Sequence, residues 1–183
     1  MKRLASVFVP GLLAISITPS LPASWPPARS PVIPQADGYI AIPNAAIPPL
    51  RTRTYRAIYD ATLGADRPSQ ILPALNMAGS ELNAFGVAGV PLAYAKFVIV
   101  FHDAALNGIL LDARYRAKYG IANPNLPVLA ELKQSGVELY VCGQNLASAH
   151  IDPSTISHDV KIASDALIVL MTYQNQGYAL LSF

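Results

Sequence analysis

Cysteine is nearly absent from this chain: Cys142 is the single one in 183 residues. One thiol excludes an internal disulfide and a Cys-x-x-Cys pair working within one chain, and no metal-finger spacing is present. Charge is scarce as well, with 13 Lys and Arg against 11 Asp and Glu. No basic cluster is found, and each phosphate contact needs its own cation, so nucleic acid is not an expected partner. There is no Gly-x-Ser-x-Gly for an α/β-hydrolase nucleophile and no glycine-rich loop after the first strand for a dinucleotide. His150 and His158 stand in a loop beside Asp152 and Asp159. That pattern reads as solvated turn residues, and neither a metal nor a cofactor is expected.

What is present begins with an address. Met1-Lys2-Arg3 gives a basic start, Leu4 to Thr18 an apolar run, and Leu21-Pro22-Ala23 a small-residue cleavage site. Residues 1–23 therefore read as a secretory signal peptide, which implies a periplasmic or secreted protein. Pro10 and Gly11 interrupt the run, which is short for a membrane span; an uncleaved anchor is the alternative. Cleavage after Ala23 removes Lys2 and Arg3 and leaves the two charge signs balanced. A neutral surface favours self-association. In an exported protein the leftover thiol is free, paired between chains, or reactive.

Residues 24–52 are dense in proline, including Pro26, Pro27, Pro31, Pro34, Pro43, Pro48 and Pro49. Such a segment cannot pair at a sheet centre or continue a helix, so it reads as an arm or linker, ordered only against the body or a neighbouring subunit. From residue 53 to 183 strands and helices alternate. Strands are expected at 54–62, 95–102, 137–142, 160–163 and 178–183. The run "AKFVIVFH" carries the signature of a strand covered on both faces. Helices are expected at 69–85, ended by Gly86 and Gly89, at 104–118, at 124–135 with Asn123 as N-cap and Pro124 in its first position, and at 166–176 with Ser164 as cap. The last is apolar nearly all round, which suits burial or a subunit contact. This alternation predicts an α/β fold with a parallel sheet and helices on both faces.

In an open parallel sheet, ligands bind beyond the carboxyl ends of the strands. The second strand ends in His102-Asp103 and the third in Cys142-Gly143-Gln144, so both point to one rim, shared with Asp60-Ala61-Thr62. Cys142 is the candidate reactive residue. His102 could serve as base or as donor to sulfur. Gly143 would let backbone approach a bound group. Gln144 opens a short helix whose N–H groups would favour an anion on sulfur. Asn123, at the start of its helix, joins His102, Gly143 and Gln144 as a binding candidate. The competing reading is a half-buried cysteine lining the site, with His102 capping a strand end. His102 and Asp103 make a tempting acid–base pair, but adjacent strand residues point to opposite faces.

Three stretches together, "KFVIVFH", "ANPNLPVLAELKQSGVELYVCGQNLA" and "VKIASDALIVLMTYQNQGYALLSF", make the chain from about Tyr55 to Phe183 resemble the DsrE/DsrF-like family, in particular its exported members. The resemblance implies a three-layer α/β/α fold with a five-stranded, mainly parallel sheet, and homo-oligomers from dimer to hexamer. It also implies sulfur relay as a cysteine persulfide, with Cys142 matching the family branch's cysteine and a sulfur donor or acceptor as partner. The alternative is a non-catalytic oligomeric module that binds a small ligand. One position departs: related sequences often carry His-Gly where this chain has His102-Asp103, and a carboxylate near a thiolate opposes its ionisation.

Overall fold

The computed structural model describes residues 25–183; the expected leader, 1–23, lies outside them. Five strands, β1 (Tyr55–Ala61), β2 (Ala95–Phe101), β3 (Glu138–Cys142), β4 (Lys161–Ala163) and β5 (Ala179–Ser182), form one sheet in the order β4-β3-β2-β1-β5. Every neighbouring pair is parallel. The helices are α1 (Pro73–Ala88), α2 (Asp112–Tyr119), α3 (Asn125–Gln134), α4 (Gly143–Ser148) and α5 (Ala166–Asn175). The expected three-layer α/β/α fold is therefore the observed one. Among the described residues, no helix is long and apolar enough to cross a membrane.

The two faces of the sheet are unequally covered. On one, Tyr59, Ile99, Phe101, Leu139 and Val141 meet Leu75, Leu82, Leu129 and Leu132 of α1 and α3 in the main core. On the other, Ile58, Val98, Val100 and Cys142 meet Ala166, Val169 and Leu170 of α5, with Tyr140, Ala163, Tyr173 and Tyr178 packed alongside. β2 is central and buried on both faces, which is why its sequence is a continuous apolar run instead of an alternating one. The opposite stripe of α5, Leu167, Ile168 and Met171, is more than half exposed.

Several helix boundaries differ from the expected ones for local reasons. α1 starts at Pro73, not Ser69, because the residue before a proline is pushed out of the helical region and Leu72 has ψ 143°. It passes through Gly86, whose missing Cβ makes room for Pro31 and Val32, and ends only at Gly89, where φ is 71°. The segment expected as one helix at 104–118 is a 3-10 stretch, Asp103–Ile109, followed by α2. A bridge from Leu110 to Ile156 interrupts it, and Gly108 stands where a Cβ would overlap Leu72. At α5 the cap is Asp165, not Ser164: its Oδ1 accepts from Leu167 N at 2.6 Å.

The proline-rich segment lies against the body. Asn83 of α1, fully buried, accepts from the backbone N–H of Val32 and Ile33 at 2.9 Å each and donates to the carbonyl of Ile33. Ile33 itself has no exposed surface and joins the main core.

Candidate functional site

The site begins with register. Phe101 pairs with Val141, so the next residues on β2 and β3, His102 and Cys142, end neighbouring strands at the same height. Alternation along the strands carries Asp60 (after Ile58), His102 (after Val98 and Val100) and Cys142 to the face that α5 covers. Backbone pairing persists one step beyond β2, where His102 N donates to the carbonyl of Ala61 at 3.0 Å.

His102 is held by carboxylates at both ring nitrogens. Nε2 lies 2.6 Å from Asp60 Oδ1, and Nδ1 lies 3.1 Å from Asp103 Oδ2. The second contact corrects the expectation that neighbouring side chains diverge. The strand has ended, Asp103 adopts φ 51°, and this left-handed turn brings its carboxylate back over the ring. Asn145 of α4 fixes the turn by accepting from Asp103 N at 2.9 Å. The Asp60 contact is a hydrogen bond, while the Asp103 carboxylate stands at ion-pair distance from Nδ1.

Cys142 stands at the N-cap of α4, a free thiol with 4% exposure. Its wall is apolar, made by Val100 and by Ala166, Val169 and Leu170 of α5. Among the described residues its sulfur has no hydrogen-bond partner. At Gly143 a Cβ would fall 2.6 Å from the carbonyl oxygen of Ala163, so the glycine admits the end of β4. Gln144 is exposed on the first turn of α4.

Asn123 is elsewhere and fully occupied. It is 3% exposed; its amide donates to the carbonyls of Gly108 and Leu110 at 2.9 and 2.6 Å. Its oxygen accepts from Asn125 N and Nδ2, at 2.9 and 2.8 Å. The first is the bond a capping residue makes, although α3 itself starts at Asn125. With both polar atoms of its side chain engaged, Asn123 is a latch between loops. Asp60 was expected on this rim and Asn145 was not singled out; that Asp60 bonds His102 in particular is set by strand register, since 42 positions separate them.

No curated protein matches the chain. Among solved structures, the protein of unknown function MTH1491 from Methanobacterium thermoautotrophicum is similar at 17% identity and a TM-score of 0.53, over 70% of this chain and 99% of that one. The YchN protein from E. coli is similar at 15% identity and a TM-score of 0.45, over the same shares. At such identity the first likeness speaks for the fold alone. The family model of the DsrE/DsrF-like family matches residues 59–183, which includes all five strand ends and every rim residue described above, and the chain belongs to that family.

Proposed function

We propose that this chain handles sulfur, with Cys142 accepting one sulfane sulfur atom and holding it as a persulfide in an exported, homo-oligomeric protein. The observation that carries the reading is the location of the lone thiol. It ends β3 at the carboxyl rim of the sheet, inside the region matched by the family. The chemistry needs no oxidant beyond the donor. The Cys142 thiolate attacks the terminal sulfur of a polysulfide, the S–S bond behind that atom breaks, and the shortened polysulfide leaves with the electron pair. Self-association is supported by the exposed apolar stripe Leu167, Ile168 and Met171 on α5.

Incubation with polysulfide followed by intact-mass measurement tests the proposal. Wild type is expected to gain the mass of one sulfur atom, reversed by a thiol reductant, and Cys142→Ser to gain none. A gain equal in both proteins, or in neither, overturns it.

The apolar surroundings of Cys142 favour a second reading, in which the cysteine only lines an oligomeric binding module. This reading expects a thiol inert to polysulfide as well as to bulky reagents. Sulfur transfer expects small polysulfide to react while an aromatic disulfide reagent reacts slowly with the folded protein.

A further inference from the structure

We infer that Tyr140 and Tyr173 form an oxidative crosslinking site, at which a one-electron radical oxidant couples the two rings into a dityrosine that fastens α5 to β3. The two hydroxyls lie 3.2 Å apart. Both donate to the same atom, Glu138 Oε2, at 2.8 and 3.0 Å. The ring centroids are 6.2 Å apart. With the hydroxyls in contact, the ortho carbons next to them are within a small ring rotation of each other. Glu138 and Tyr140 belong to β3 and Tyr173 to α5, and both tyrosines are half-buried, within reach of a small radical.

The cluster holds what the oxidation of a tyrosine pair requires. Burial keeps both phenols protonated beyond their usual range, so each must shed a proton as its electron leaves. A carboxylate at hydrogen-bond distance receives it. Tyr115 and Tyr119 supply the contrast. Their rings are closer, at 4.6 Å, but the Tyr115 hydroxyl donates to the carbonyl of Pro68, which is no base. Lys161 Nζ stands 5.8 Å from the Tyr140 ring, and a cation there opposes electron loss, so Tyr173 is oxidised first. Each phenol gives one electron to a radical, which is reduced to its anion, and one proton to Glu138, which passes it to water before the second event. The two phenoxyl radicals form a carbon–carbon bond between ortho positions. Each ring regains aromaticity by moving its ortho hydrogen to oxygen, and the product has lost two hydrogen atoms in all.

Azide radicals generated by radiolysis are a suitable oxidant for the full chain. The treated monomer is expected to be lighter by two hydrogen atoms, to show dityrosine fluorescence, and to yield a linked peptide pair containing Tyr140 and Tyr173. Tyr140→Phe and Tyr173→Phe keep the rings and should each abolish that pair. Glu138→Gln keeps an acceptor oxygen but cannot take the proton, and should lower the yield on the order of tenfold or more. The linked protein should have a higher urea midpoint, because the bond joins residues 33 positions apart and restricts the unfolded chain. Cys142→Ser should link at least as well as wild type, which separates this proposal from the sulfur reading. The proposal is overturned by absence of the linked pair, by linkage only between chains, or by linkage of Tyr115 to Tyr119 in preference. An undiminished yield in Glu138→Gln or an unchanged urea midpoint overturns it too.

Discussion

At the scale of single residues, the candidate site residues divide into side chains with free chemistry and side chains already spent. Cys142 is the first kind and Asn123 the second. Asn123→Ala is expected to cost about 3 kcal/mol of stability, because two carbonyls lose their donor and two N–H groups their acceptor inside the protein. Urea unfolding measures the loss, and persulfide formation on Cys142 should survive it under folding conditions. The position of Cys142 was legible in the sequence because a strand followed by glycine and a rim rule suffice to find it. The role of Gly143 was not, since the carbonyl that needs its space belongs to Ala163, on a different strand. Asp103 was misread for a related reason. Strand alternation holds only while the strand lasts, and Asp103, at φ 51°, lies two residues past the end of β2.

At the scale of elements, strands were located within a residue or two because apolar runs bounded by glycine and proline mark them on their own. Helix starts were less legible, for capping depends on which side chain reaches back: Asp165 does so at α5 and Ser164 does not. The sequence pattern of α5 admitted burial or a subunit contact; Val169 and Leu170 face inward and Ile168 outward, where the proposed self-association would cover it. Ile168 is 52% exposed, so Ile168→Glu is expected to leave the fold intact while converting the proposed oligomer to monomer. Size-exclusion chromatography with light scattering reads this directly; a wild type that is already monomeric overturns the oligomer.

At the scale of the whole molecule, four of the nine tyrosines, Tyr59, Tyr115, Tyr140 and Tyr173, have phenols held above their usual range, in each case first by burial. A neutral buried phenol stabilises the fold fully below the unfolded value of about 10, where both states keep the proton. Above that pH the unfolded chain releases protons that the folded one retains, so stability must fall. Denaturant midpoints measured across the alkaline range should decline from about pH 10 upward, and tyrosinate absorbance should rise in step with unfolding. The overall architecture was legible because alternating strands and helices leave few topologies open. The strand order was not. β1 lies beside β5, and their pairing joins Ala57 to Ala179, a contact no local pattern announces.

The cover over Cys142 is a single, separable part. Ala166, Val169 and Leu170, which enclose the thiol, all belong to α5, and no residue of that helix joins the main core on the other face. A local opening that lifts α5 alone therefore uncovers the sulfur while the larger core stays closed, so access to the thiol is set by the stability of one helix and not by that of the fold.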